Sequence, residues 1–335
     1  MPAHAEPALL LPTGRLPALL AALVQAGYRC VGPAVENGAI VMRELESADA
    51  LPRGLQAEQA PGRYRLVADP HNRYFAWANG PQALKPLNFA PRETLWRVGR
   101  NGDGALRFEA VVPQVPKFAV IGARACDLAA LALQDAHFLR DGRIDAQYAA
   151  RRAAHFLVAV QCAVPAATCF CASTGDGPTP TAGYDIALAE LPEGFVATAG
   201  SEAGRAVLAM LKLDSASAAQ LEAARAQGAA AAAAQTRRLP GKTLRDALMC
   251  RLEHPRWDAV ASRCLACGNC TAVCPTCFCH AELDQPALDG ASSTHERVWD
   301  SCFGASHGHL HGFDVRPDIR SRYRQWLTHK LAGWH

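Results

Sequence analysis

Residues 263–279 read Arg263-Cys264-Leu265-Ala266-Cys267-Gly268-Asn269-Cys270-Thr271-Ala272-Val273-Cys274-Pro275-Thr276-Cys277-Phe278-Cys279. The spacing Cys-x2-Cys-x2-Cys-x3-Cys-Pro is the ligand run of bacterial iron–sulfur centres, in which the fourth thiolate serves a different cluster from the first three. Cys264, Cys267 and Cys270 can wrap one face of a cubane. Gly268 permits a tight turn whose amides can point at sulfur, and Pro275 ends the loop after the fourth thiolate. The run therefore predicts a [4Fe-4S] cluster on Cys264, Cys267 and Cys270, with Cys274 directed to a second one. Zinc is the competing reading, but zinc sites usually come as two separated Cys-x2-Cys pairs, and no matching distant pair is visible. Cys277, Cys279 and Cys302 are the nearest candidates to complete the ligand count.

A second group of thiols lies upstream. Phe118-Ala119-Val120-Ile121 and Phe156-Leu157-Val158-Ala159-Val160 are short continuous apolar runs, as in buried parallel strands. Between them, Gly122 to Asp127 reads as a turn, with Asp127 capping a helix through Leu128, Leu131 and Leu133. Cys126 falls in the turn after the first strand, and Cys162, Cys169 and Cys171 follow the second. Ligands of open α/β sheets bind at the carboxyl ends of strands, so these four thiols can hold a cluster of their own. Thr-Cys-Phe-Cys occurs twice, at 168–171 and 276–279.

The composition supports metal ligation over disulfides. Thirteen cysteines in 335 residues are an odd number, clustered rather than spread as in small secreted scaffolds. No secretory leader is visible at Met1-Pro2-Ala3-His4, and Leu9–Ala26 is interrupted by Pro12, Gly14, Arg15 and Pro17, so no membrane span is expected. A reducing, cytoplasmic setting suits free thiols and iron–sulfur centres. The net charge of +3 is too small to argue for nucleic acid.

These readings give an α/β N-terminal domain, a mixed sheet with helices, over residues 1–213. An Ala-rich helical linker follows over 214–245, then a smaller, mainly α-helical ferredoxin-like iron–sulfur domain over 246–335. A helix capped at Thr13 with Leu16, Leu19, Leu20 and Leu23 on one face is predicted near the start, with strands at 28–31 and 39–43. Segment 50–115 reads as strands and loops in irregular order. His307, His309 and His311 read as a solvated loop, and Arg316, Arg320, Arg322 and Arg324 as a partner-docking or solvated face. Trp299, Trp326 and Trp334 read as core or interface residues. No Gly-x-Gly-x-x-Gly or Walker loop and no nucleophile set are present, so neither flavin, nicotinamide nor ATP binding is expected.

The chain resembles the beta subunits of sulfhydrogenase, the cytoplasmic nickel–iron hydrogenase, and the related electron-transfer subunit of anaerobic sulfite reductase. The pieces that carry the resemblance begin with Gly80-Pro81-Gln82-Ala83-Leu84-Lys85, Gly122 to Leu128, Thr168 to Cys171 and Gly175-Asp176-Gly177-Pro178. They end with Cys264 to Cys279, Trp299-Asp300-Ser301-Cys302-Phe303 and Arg320 to Lys330. The resemblance implies several [4Fe-4S] clusters and a non-catalytic electron-relay role in an oxidoreductase complex. The partners it implies are a hydrogenase or sulfite reductase module and a flavoprotein subunit handling FAD and NAD(P)H. It also implies a second cysteine run soon after Lys330; the sequence ends at His335, so the chain reads as truncated ahead of that run. A zinc-binding or redox-sensing protein is the reading of another class.

Overall fold

The run Phe118–Ala123 is a strand with its middle residues buried, and His155–Val160 is buried along its whole length. The two pair in parallel, as their unbroken apolar character requires. The computed structural model describes residues 7–78, 80 and 84–334; Pro81, Gln82 and Ala83 and the Trp334 side chain lie outside the described residues. The chain divides into two units, residues 1–84 with 114–239, and residues 85–113 with 240–335.

The first unit is built on an eight-stranded mixed sheet. Its order is Asp214–Ser215, Leu9–Pro12, Gly194–Ala199, Ile186–Leu191, His155–Val160, Phe118–Ala123, Arg29–Glu36 and Ala39–Glu44. The four strands from Ile186–Leu191 to Arg29–Glu36 run parallel, and the remaining pairs are antiparallel. Helix Leu16–Gln25 buries Leu16, Leu19, Leu20 and Leu23 against this core. Each such leucine stabilises the fold by about 1.5–3 kcal/mol through burial alone. Gly122 adopts φ +87° where the register shifts between Ile121 and Ala123, a conformation that glycine tolerates without a Cβ penalty. Helix Ala125–Phe138 begins earlier than the sequence suggested. Arg124 is its N-cap, and Asp127, instead of capping, accepts the Arg124 backbone N–H at 2.8 Å from three residues inside.

Residues 214–245 differ from the expected linker. Helix Ala218–Ala233 is capped by Ser217, buries Ala224, Gly228 and Ala231, and belongs to the first unit. Small side chains let the helix backbone come close to its neighbours: a Cβ on Gly228 would lie 2.3 Å from Thr179 Oγ1 and 3.1 Å from Gln161 Oε1. The alanine face that looked featureless is thus a packing face.

His155 is buried with neither ring nitrogen hydrogen-bonded. Burial, assisted by Arg152 and Arg151, pushes it down to about 4. The unfolded chain therefore binds more protons between pH 6.5 and 4, and stability present above pH 6.5 is lost as pH falls through that window. At about 1.4 kcal/mol per pH unit, the loss approaches about 3 kcal/mol by pH 4. Urea unfolding at pH 7 and pH 4 should show that His155→Leu removes this part of the slope; equal slopes would refute it.

The second unit also departs from expectation. It is not mainly helical: short helices Leu244–Met249, Arg256–Ala261, Asn269–Val273 and Ile319–Thr328 accompany an antiparallel sheet. The sheet order is His280–Pro286, Ser292–Trp299, Arg92–Arg100 and Leu106–Ala110. Two of its strands come from the segment that had no legible topology. Arg297 donates to Glu93 at 2.6 Å between the central strands, and both side chains are buried. Among the described residues no helix is long and apolar enough to cross a membrane.

Candidate metal centre

The cysteine run is shaped by backbone turns. Helix Arg256–Ala261 delivers the chain to Cys264, whose N–H donates to Ala261 O at 3.1 Å. Ala266 and Gly268 both take positive φ, +51° and +73°, folding the run back on itself. The Ala266 N–H points at Cys264 Sγ, 3.4 Å away. A Cβ on Gly268 would stand 3.1 Å from Ser301, so the turn also needs a small residue for space. Cys270 rides on the short helix Asn269–Val273; burial raises its thiol, and Cys264 adds to the effect. Cys267 is exposed.

Cys274 parts from these three. It lies with Cys277, and Lys330 Nζ sits between them, 2.6 Å from Cys274 Sγ and 2.8 Å from Cys277 Sγ. A hydrogen bond from Cys277 holds the Cys274 thiol down at about 4, with Lys330 assisting, whereas Cys277 stays protonated. The sulfurs of Cys279 and Cys302 are 4.0 Å apart. Cys279 is likewise held at about 4, first by Cys302 and then by His307, whose Nδ1 lies 2.8 Å from Asp300 Oδ2. A cavity of about 250 Å³ opens among Cys277, Cys279, Cys302, His307, Trp326 and Lys330. The ammonium against two sulfurs marks them as an electron-rich pair, and thiolates are the form that binds metal. The donor set thus fits iron–sulfur ligation.

Lys85, buried, donates Nζ to the carbonyls of Thr271 at 3.0 Å and Ala272 at 3.2 Å and lies 4.1 Å from the centre of the Trp299 ring. Burial lowers its basicity, and the sulfurs of Cys277, Cys274 and Cys279 work against that. For Lys330 the balance tips the other way: burial lowers, but Cys274 and Cys277 outweigh it and the ammonium is held above the usual lysine range.

In the first unit, Cys126 sits in the first turn of helix Ala125–Phe138, and Cys162 follows strand His155–Val160. Cys169 and Cys171 lie in the next loop and at the start of Cys171–Thr174. Cys126, Cys162, Cys169 and Cys171 all interact electrostatically with one another, so the four thiols share one neighbourhood. Burial pushes up Cys126, Cys162 and Cys169. Cys126 is nonetheless an exposed residue. Arg124, fully buried, donates to the carbonyls of Phe75 and Trp77 and lies with Nη1 3.8 Å from Cys162 Sγ. Gln235 Nε2 donates to Cys171 Sγ at 3.3 Å.

Several residues were not foreseen. His307 is half-buried beside Cys279, not part of a solvated loop, whereas His309 and His311 are exposed. Its partner Asp300 lies seven positions earlier in the chain, with no periodicity to reveal the pairing. Lys85 and Lys330 lay inside the resemblance blocks but carried no signal of their own. The arginines near the C-terminus are engaged within the unit: Arg320 and Arg324 pair with Glu253, and Arg322 caps the carbonyls of Arg316 and Phe303. Trp299 stacks on Phe89, and Trp326 lies against Tyr323 and Phe303. Cys30 is a core thiol and Cys250 an exposed one. No three His, Cys, Asp or Glu side chains among the described residues are arranged to clasp a single metal ion.

Residues 263–335 match the family model of the 4Fe-4S dicluster domain. The chain is 30% identical over 258 residues to sulfhydrogenase 2 subunit beta of Pyrococcus furiosus, an alignment covering 72% of this chain and 71% of that protein. No solved structure matches it.

Proposed function

Because the chain belongs to the sulfhydrogenase beta-subunit family, we propose that this iron–sulfur electron-transfer subunit relays single electrons between a nickel–iron hydrogenase module and a flavoprotein subunit that handles FAD and NAD(P)H. The relay works in the cytoplasm, without nucleic acid or a membrane span. The observation that carries the reading is that eleven of the thirteen thiols fall into three sets, the first by its spacing and the other two by their contacts. Cys264, Cys267 and Cys270 begin one cluster. Cys274, with Cys277, Cys279 and Cys302, supplies sulfurs for another. Cys126, Cys162, Cys169 and Cys171 form the set for a third.

Bound clusters supply one-electron carriers, which need no side-chain acid or base. The chain's own part is to aim thiolates, exclude water and donate hydrogen bonds to sulfur, and these settings tune potential. The relative is a sulfhydrogenase subunit, which favours the hydrogenase assembly over the sulfite-reducing one. Anaerobic reconstitution followed by iron and sulfide counting and EPR of the reduced protein tests the reading. A brown protein with at least about four irons and four sulfides per chain is expected. A colourless protein with stoichiometric zinc after anaerobic purification would overturn it.

A further inference from the structure

We propose that Lys330 and Lys85 are positioning residues that set the reduction potential of the centre held by Cys274, Cys277, Cys279 and Cys302; the inference rests on reading those four sulfurs as cluster ligands. Lys330 Nζ contacts the sulfurs of Cys274 and Cys277 directly, at 2.6 and 2.8 Å. Lys85 Nζ contacts the carbonyls of Thr271 and Ala272, just ahead of Cys274 in the chain.

Among the described residues, neither ammonium meets a carboxylate. Removing an ammonium from water without a counter-charge is strongly unfavourable. Two such groups in one place therefore mark an anionic neighbour, and thiolates carrying a cluster are that neighbour. An N–H donor to a ligating sulfur withdraws electron density from it. A fixed positive charge favours the reduced state over the oxidised one, because the reduced centre carries one more negative charge. Low-dielectric surroundings strengthen both effects.

The lysines also differ in role. Lys330 acts on sulfur itself. Lys85 acts through the backbone of the Cys270–Cys274 segment and stacks its charge on Trp299, which holds it in place. Neither residue lies in the cysteine run, so the spacing that defines the ligands does not define their potential.

The test uses the full chain reconstituted anaerobically, as wild type and as Lys330→Met, Lys330→Gln, Lys330→Arg and Lys85→Met. Iron and sulfide are counted, and each centre is followed by EPR during redox titration. The signal lost in Cys302→Ser identifies the centre concerned. With iron content at the wild-type level, the Met and Gln variants should shift that midpoint lower by at least about 59 mV, a tenfold change in the one-electron equilibrium. The other centres should stay put, and Lys330→Arg should restore most of the shift. If the Met variants lose iron, the comparison of Gln with Arg at 330 decides. An unchanged midpoint in iron-replete variants, or equal midpoints for Gln and Arg, overturns the inference. A wild type without iron overturns instead the cluster reading beneath it.

Discussion

Cys267→Ser is expected to abolish or convert the cluster begun by Cys264, Cys267 and Cys270, seen as loss or change of its EPR signal after anaerobic reconstitution. Cys267 is the exposed member of the three and lies between the two positive-φ residues Ala266 and Gly268. The backbone geometry there is set by these turns and by Cys264, whose sulfur receives the Ala266 amide. Exchanging sulfur for oxygen at an exposed position costs the fold little, so the change acts on ligation. A serine hydroxyl is a far poorer iron ligand than a thiolate, because only the thiolate is substantially formed near neutral pH. The expected loss is about four irons per chain, or about one if a three-iron cluster remains. An unaltered spectrum with unaltered iron would refute the assignment of Cys267.

Changing Cys126 and Cys162 together to Ser is expected to remove about four irons from the first unit. Both thiols stand at the ends of neighbouring parallel strands, with Cys169 and Cys171 close by. Burial holds Cys126, Cys162 and Cys169 protonated in the metal-free protein, so loading there must release protons. Arg124, with Nη1 3.8 Å from Cys162 Sγ, then has a second negative charge beside it in addition to the Glu190 carboxylate. The double variant should keep its far-UV circular dichroism, since neither side chain belongs to the apolar core. Iron content equal to wild type would show that this cluster does not exist.

How far these features could be read in advance depended on how local their causes are. The parallel strands were legible because Phe118–Ile121 and Phe156–Val160 are unbroken apolar runs, which only a doubly covered strand tolerates. The grouping of the cysteines was legible because it is written as short spacings within the chain itself. The second unit's sheet was not. Arg92–Arg100 mixes charged and apolar residues and finds its partner Ser292–Trp299 far along the sequence, so nothing nearby marks the pairing. The alanine helix was misjudged for a related reason: small side chains pack by letting backbones approach, which leaves no amphipathic stripe. Lys85, Lys330 and His307 act through long-range charge and contact, and their residue types are ordinary on any surface.

The hairpin of Arg92–Arg100 and Leu106–Ala110 has a consequence for the order of events during synthesis. It leaves the ribosome roughly 180 residues ahead of Ser292–Trp299, the strand that must join it. At about 5–20 residues per second, it waits on the order of 10–40 s with one edge open and Glu93 without Arg297. The intervening stretch through Leu239 includes the whole sequence from Gln114 onward that completes the first unit. That unit can therefore finish folding while the nascent chain is still growing. The second unit has to await the emergence of Ser292–Trp299, and a fragment beginning at residue 246 would be born without two of its four strands.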